Sequence, residues 1–441
     1  MELVSRLSQN MYGGKRIVSP KTTLDNIMHL MSNVNLFKVS NMVQFEASIF
    51  IAYANICGQN STGVGKGMND DCAKASAIME MIERYSGRTY QESRIVRNSF
   101  ANLSNKALDP KKIIFDYDEL YNENAVIDFV EGYMLNKKTP IMVPAAFAYY
   151  AYNCQLIDGK LEYTKGGIKT VLSTNGLASG NCIEEAILQG LYEVIERDAV
   201  FSMWLNKMPT ADLENFHGVN EYLDCILSEF EKKGINIKVK LIKNDIDCVY
   251  NIFCFMINKN CKNDMITFAF GCGTHSDPEI ALSRAISEVG QIAVSLSIQR
   301  KQLADERFRK NCDEQHIATL MKFDELSQLD ELSFLLDESE KIDFKTLHNY
   351  SQDDILTEIN KLYEELERNG LDTIVVDLTS PELNIPVVRV LVPGMQGPIK
   401  QGLSGIYTDR LFQYPERFGQ PRRRIEAVSY THLTLPTILL V

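Results

Sequence analysis

Three stretches of the chain change period in the same way. Each passes from an apolar or alternating run, through small turn-forming residues, to a long segment whose apolar positions recur every three or four residues. Period two reads as strand, and recurrence at three and four reads as helix. In the first stretch an apolar run over 41–65 ends in Gly63-Val64-Gly65-Lys66-Gly67, expected to be a glycine-bearing turn, and Asn69-Asp70-Asp71 is placed to cap a helix over 72–89. In the second, residues 173–181 read as a loop capping a helix over 183–203. In the third, a strand over 265–271 and a turn ending in Asp277-Pro278 lead to a helix over 279–300, with proline at its first turn. Shorter strand-like runs lie at 113–115, 141–150, 371–379 and 385–392, while 303–366 is charge-rich and helical by pattern, an expected outer layer. The prediction is a mixed α/β (α+β) protein made of repeated strand–turn–helix units.

The first two helices carry the same acidic signature on otherwise apolar segments. Glu80-Met81-Ile82-Glu83-Arg84 and Glu193-Val194-Ile195-Glu196-Arg197 each place two carboxylates and an arginine on adjoining turns, and Glu185, Gln189, Glu193 and Glu196 form one stripe. One such motif is explained by a solvated face with local Glu–Arg pairing; two of them point to a shared acidic site for divalent metal and phosphate. Carboxylates brought together raise one another's pKa unless cations neutralise them. Mg²⁺ suits hard oxygen ligands and is held together with substrate phosphates, and neither stripe carries the thiolates or imidazoles that zinc or redox metals favour. Arg84 and Arg197 would bind phosphate oxygens or orient the carboxylates. Gly65-Lys66-Gly67 is not a Walker phosphate loop, since Gly67 and Met68 follow the lysine; it either holds a phosphate or makes a tight turn. Asn181, one turn before Glu185, is placed to touch ligand or metal. Cys182 reads as a buried thiol rather than a nucleophile, and Arg389, interrupting an apolar run, is either a partnered buried charge or the edge of a site.

Composition narrows the classes. With 441 residues, 45% hydrophobic and 24% charged, the chain can bury a large core. A formal charge of -12 gives no general affinity for nucleic acid or anionic membrane. No stretch reaches the ~18 apolar residues of a membrane span, and the N-terminus lacks the order of a secretory signal. The ten cysteines form no Cys-x-x-Cys pair and read as reduced thiols of a cytoplasmic protein.

From about residue 19 to 419 the chain resembles the YcaO superfamily. The resemblance rests on Gly65-Lys66-Gly67, on residues 75–86 around Glu80 and Glu83, on 173–198 with Asn175, Asn181, Glu184, Glu185, Glu193, Glu196, Arg197 and Asp198, on Arg284-Ala285-Ile286-Ser287-Glu288-Val289-Gly290-Gln291, and on 386–394. It implies a YcaO-type fold around an acidic ATP/Mg site, with residues 1–18 a short extension and 303–366 an outer insert. It implies that ATP and Mg²⁺ are used to phosphorylate a peptide amide oxygen, with Glu80, Glu83, Glu185 and Glu196 as metal-binding acids. Lys66, Ser76, Arg84, Asn181, Glu193, Arg197, Arg284 and Glu288 become the nucleotide contacts, and Glu83, Arg84, Glu196 and Arg197 the catalytic groups. The stretches 199–209 and 144–150 are similar to the azoline-forming branch, which closes thiazoline and oxazoline rings on Cys, Ser or Thr of ribosomally made precursor peptides. A precursor peptide, a separate leader-recognition protein and a homodimer are the implied partners. The thioamide-forming branch and a non-catalytic peptide-binding homologue are the alternatives. The proline-rich C-terminal end of the azoline branch is absent, since Pro415, Pro421 and Pro436 do not form it. Residues 420–441 therefore read as an atypical tail, foreign from about 428 or else a genuine terminal strand, and weak ring formation is expected.

Overall fold

The structure, a computed structural model, describes residues 1–11, 14–31, 33–113, 122–152, 154–157, 160–163, 173–259, 265–306, 332–337, 339–397 and 408–422. Three long helices, Asp70–Arg88, Ile183–Asn206 and Pro278–Gln302, each follow a strand, as the periodicity predicts. Their starts are chemically marked. Asn69 accepts from Cys72 N, Asp277 accepts from Glu279 N, and Pro278 sits in the first turn of the third helix. The second helix has no side-chain cap at Cys182; instead Glu185 accepts from Asn181 N at 2.8 Å.

Three sheets carry these helices. A three-stranded antiparallel sheet runs Asn35–Lys38, Ser48–Ile56, Gln59–Gly67. A six-stranded antiparallel sheet runs Leu177–Ser179, Val387–Leu391, Ile374–Asp377, Val126–Met134, Val96–Ser99, with Thr139–Pro144 also paired to Val126–Met134. A five-stranded sheet runs Phe268–His275, Tyr250–Ile257, Asn236–Ile242, Ala211–Glu214, Lys341–Asp343, its last pair parallel. The second helix bridges two apolar clusters: residues such as Ile187, Leu191 and Ile195 pack in one, while Val200, Met203 and Trp204 pack in the other. Buried on nearly every side, it has no solvent face on which to carry its carboxylates. Trp204 lies against Phe253 and Phe270, with ring centroids at 6.0 and 5.9 Å, so that part of the 199–209 stretch belongs to the core. Asp198 receives Arg410 Nε at 2.8 Å and Gln396 N at 2.7 Å, which pins the short helix Asp409–Gln413 behind the second helix.

Three expectations change. Gly63 to Gly67 lie within the strand Gln59–Gly67, not in a turn. A Cβ on Gly65 would come within 2.1 Å of Ala77 N, and one on Gly63 within 2.2 Å of Ala77 O, so the glycines let the first helix lie against the strand backbone. The small-residue loop over 173–181 contains the strand Leu177–Ser179, held by Val387–Leu391. The described part of 303–366 is not a helical outer layer. It supplies the edge strand Lys341–Asp343 and the helix Ile355–Arg368, whose buried Glu358 accepts from Tyr192 on the second helix. All but the first residue of the strand expected at 113–115, most of the segment 303–331 and the tail beyond 422 lie outside the described residues. Within those residues no helix is long and apolar enough to cross a membrane, and Cys57, Cys72, Cys182, Cys225, Cys248, Cys254 and Cys272 are free thiols.

Candidate active site

The polar stripes of the three helices wall one cavity of about 450 Å³. The first helix contributes Ser76, Glu80 and Glu83; the second contributes Glu185, Gln189, Glu193, Glu196 and Arg197; the third contributes Arg284, Glu288 and Gln291. Their three- and four-residue spacing puts each set on one face. Lys66 enters from the end of the glycine strand and Asn181 from the turn before the second helix.

Local bonds fix the carboxylates. Val64 N donates to Glu80 Oε2 at 2.9 Å, and Cys272 N donates to Glu288 Oε2 at 2.7 Å. Glu185 receives three N–H donors, from Ile17 N, Asn181 N and Asn181 Nδ2. Asn181 is itself oriented by Thr23, whose hydroxyl donates to its Oδ1 at 2.9 Å. Arg284 Nη1 donates to Gln189 Oε1 at 2.8 Å. Arg197 lies 3.5 Å from Glu196 and 4.0 Å from Glu193, yet its buried Nη1 has no hydrogen-bond partner. A buried guanidinium nitrogen left without an acceptor costs stability unless a ligand supplies one.

Three of the carboxyl groups in the cavity, Glu83, Glu193 and Glu196, are pushed above the usual carboxylate range. Burial, then Glu193 and Glu80, push Glu83 well above the usual carboxylate range. Burial lifts Glu193 to about 7 against the pull of Arg197. Burial, with Glu288 as a further cause, also raises Glu196. Burial works against the charge of Arg197, but Glu196, Glu288 and Glu193 together hold it above its ordinary value. Burial lowers Lys66, with Glu288 opposing. Such an arrangement favours a ligand that brings cations to the acids and oxygen acceptors to the arginines. Among the described residues no three of Asp, Glu, His or Cys converge as a ready-made metal site.

Nearly all the residues singled out in the sequence thus meet at one cavity. Arg84 does not: its guanidinium lies behind Glu80, bonded to Oε1 at 2.5 Å and 3.5 Å from Thr62 O. The Cys182 thiol is buried and pushed up to about 12 by burial, as expected of a structural thiol. Arg389 is a partnered buried charge whose acceptors are carbonyls: Phe147 O at 3.1 Å, Asn175 O at 2.7 Å and Ser173 O at 2.6 Å. It therefore fixes the approach to the second helix. Arg16, Gln291 and Tyr222 also line the cavity, and the motif pattern did not mark Arg16 or Tyr222. Arg16 lies in the stretch read as a mere extension, where no periodicity connects it to the helices it meets.

The family profile described as YcaO cyclodehydratase, ATP- and Mg²⁺-binding, matches residues 64–396. An uncharacterized protein of Methanothermobacter thermautotrophicus is 28% identical over 389 residues, covering 86% of this chain and 94% of its own length. A heterocyclase solved in complex with substrate and cofactor has a TM-score of 0.77 at 24% identity, covering 96% of this chain and 58% of its own, so this chain spans little more than half of that protein. YcaO from Methanopyrus kandleri, solved with AMPPCP and Mg²⁺, has a TM-score of 0.65 at 23% identity, covering 88% of this chain and 94% of its own. The chain belongs to the YcaO family, an ATP- and Mg²⁺-binding family, and has the YcaO fold.

Proposed function

We propose that this chain activates backbone amides of a ribosomally made precursor peptide, so that a Cys, Ser or Thr side chain closes a thiazoline or oxazoline ring. The observation that carries the reading is the orphaned Arg197 Nη1 in a cavity walled by acids, among which burial pushes up Glu83, Glu193 and Glu196. Bound ATP with Mg²⁺ supplies the phosphoryl group that turns the amide oxygen into a leaving group. Arg197, with Arg284, Lys66 and Arg16, offers donors for phosphate oxygens. Glu80, Glu83, Glu193, Glu196 and Glu288 are the acids available to Mg²⁺, which is usually held by one or two carboxylates together with phosphate oxygens. That division suits carboxylates that flank a cavity instead of closing on one point. Glu185, occupied by three N–H donors, orders Asn181 and Ile17 first. Arg84 holds Glu80 in place, and Asn181 and Ser76 remain nucleotide contacts in this reading.

The attacking nucleophile belongs to the substrate, so positioning matters more than a nucleophile of the protein's own. The high thiol pKa of Cys182 fits that division. Ring formation by the purified chain with its precursor and partner, read as loss of water for each ring and as peptide-dependent ATP consumption, tests the proposal. Exchange of oxygen for sulfur in the peptide would replace it with the thioamide reading. Neither product with ATP bound would favour a non-catalytic role. Recognition of the leader by a separate protein is proposed with it, and tight calorimetric binding of precursor by this chain alone would overturn that part. Equilibrium sedimentation tests the proposed homodimer.

A further inference from the structure

Residues 1–11 and 14–18 are tied to the second helix at three points. Glu184, itself buried, accepts Val4 N and Arg6 Nε, both at 2.9 Å, and the neighbouring Glu185 accepts Ile17 N. On the other side, Asp354 accepts Ser5 Oγ at 2.8 Å and Arg6 N at 2.6 Å, Arg6 O accepts Ile355 N at 2.9 Å, and Asp353 O accepts Ser8 N at 2.8 Å. Beyond this clamp the chain forms the antiparallel pair Gln9–Met11 and Gly14–Arg16, in which Gln9 stands opposite Arg16. Lys15 Nζ reaches Gln352 O at 2.5 Å, which leaves Arg16 on the cavity wall. A Cβ on Gly14 would lie 3.3 Å from Arg16 Nη1, so glycine there gives the guanidinium room.

We infer that Arg6, Glu184 and Asp354 are positioning residues: they clamp the N-terminal strap between the second helix and residues 353–355, and so set Arg16 in the cavity. The inference rests on the nucleotide reading of that cavity. Arg6 does not line the cavity, but it also reaches the second helix at Glu184 and acts electrostatically on Glu185, so the double variant separates an effect carried by the strap and Arg16 from one carried by the helix.

The test compares Arg6→Ala, Arg6→Lys, Asp354→Ala, Arg16→Ala and the double variant Arg6→Ala/Arg16→Ala. Calorimetry with Mg·ATP should show Arg16→Ala weakened about ten- to a hundredfold, the factor of one lost charge-assisted contact. Arg6→Ala and Asp354→Ala should each weaken binding about fivefold, Arg6→Lys should recover part of that loss, and kcat should stay near the wild-type value. The double variant should bind no worse than Arg16→Ala, because residues acting through one contact are not additive. Without nucleotide, hydrogen exchange at the Ser8 and Ile17 amides should quicken in Arg6→Ala while the thermal midpoint holds. Equal losses from Arg6→Ala with and without Arg16, wild-type affinity in Arg6→Ala, or unchanged exchange would overturn the inference. If Arg6→Ala does not fold, Arg6→Lys and Asp354→Ala decide by the same measures. Wild-type protein that binds no nucleotide would fail the functional reading instead, and the exchange result would still report on the clamp.

Discussion

The first and third strand–helix units are built on one plan, and their differences explain the cavity between them. In the first, Gly63 and Gly65 lie against Ala73 and Ala77; in the third, Gly271 and Gly273 lie against Ala281 and Ala285, and the close backbone approaches correspond position by position. Val64 N bonds Glu80 as Cys272 N bonds Glu288, and Asn69 caps one helix as Asp277 caps the other. The charges then diverge. Where the first unit has Ser76, Glu83 and Arg84, the third has Arg284, Gln291 and Ile292. Glu80 therefore has its own arginine one turn on, whereas Glu288 has Ile292 there; Arg284, one turn earlier on its helix, donates to Gln189, and Glu288 acts on Arg197 of the second helix. One backbone device fixes two carboxylates, and local substitution decides which of them is already paired. The resemblance visible along the sequence, Glu-x-x-Glu-Arg in the first and second helices, is a different one; it marks two walls of the cavity and not the repeated unit.

The sharpest way to break this comparison is to neutralise its two equivalent acids. Glu80→Gln and Glu288→Gln should each lower peptide-dependent ATP turnover by about a hundredfold or more if both acids serve the cation. Their ligand-free stabilities should differ. Glu80→Gln leaves Arg84 without its carboxylate and should cost about 1–3 kcal/mol. Glu288→Gln leaves Arg197 beside Glu193 and Glu196 and relieves repulsion, so its melting temperature should hold or rise. Equal destabilisation by denaturant titration would show that the pairing difference does not matter.

The glycines test the shared plan. A Cβ at Gly65 would lie 2.1 Å from Ala77 N, and at Gly273 2.0 Å from Ala281 O, both rigid backbone atoms. Gly65→Ala and Gly273→Ala should each destabilise by about 1–3 kcal/mol or more, as overpacking does. Urea midpoints close to wild type for either would show that its strand and helix can separate freely.

What could be read from the sequence follows the range of the interaction. Asn69, Asp277 and Pro278 announce helix starts because capping acts over two or three residues, and Glu80, Glu83, Glu185, Glu193 and Glu196 announce a face because helical spacing is local. The glycine run reads as a turn in the sequence, because its role depends on Ala73 and Ala77 arriving from the next element. Alternate glycines on one strand face were the available signal of that approach. Arg16 could not be read at all, since a distant clamp sets its position. Arg389 was recognisable as a buried charge, but its acceptors at 147, 173 and 175 come together only in the fold.

A third test uses pH, because buried acids crowd the cavity around the middle helix. Burial lifts Glu193 from the ordinary 4.5 to about 7, and Glu83 and Glu196 are raised as well. A raised carboxyl pKa means that the folded state binds the proton more tightly than the unfolded chain, so stability falls as pH climbs from about 4.5 through about 7. Buried His275, lowered by burial and then by Arg284, has the opposite sign, but its contribution is complete above its ordinary value of 6.5. Between about pH 6.5 and 8 the melting temperature of ligand-free protein should therefore drop by a few degrees, on the order of one kcal/mol. Mg²⁺ with an ATP analogue should reverse the drop, and Glu193→Gln should flatten it. A rise across that window would contradict the acid crowding.

The smallest effect comes from the equivalent caps. Asn69 is exposed and its side chain accepts only Cys72 N at 2.9 Å, so Asn69→Ala should cost about 1 kcal/mol, the usual value of an N-cap. Asp277 is buried, accepts Glu279 N at 2.9 Å and also takes Asn349 Nδ2 at 2.8 Å from the segment that follows the edge strand. Asp277→Ala removes the cap and strands that amide, so its loss should exceed that of Asn69→Ala by about 1 kcal/mol. Asn349→Ala on the Asp277→Ala background should then cost little, because the amide has already lost its acceptor. The result would show the third unit tied to the residues around 349 by its own cap, while the first unit's cap serves its helix alone. Equal losses for the two caps would mean that the tie to Asn349 adds nothing, and that the two units differ only where they face the cavity.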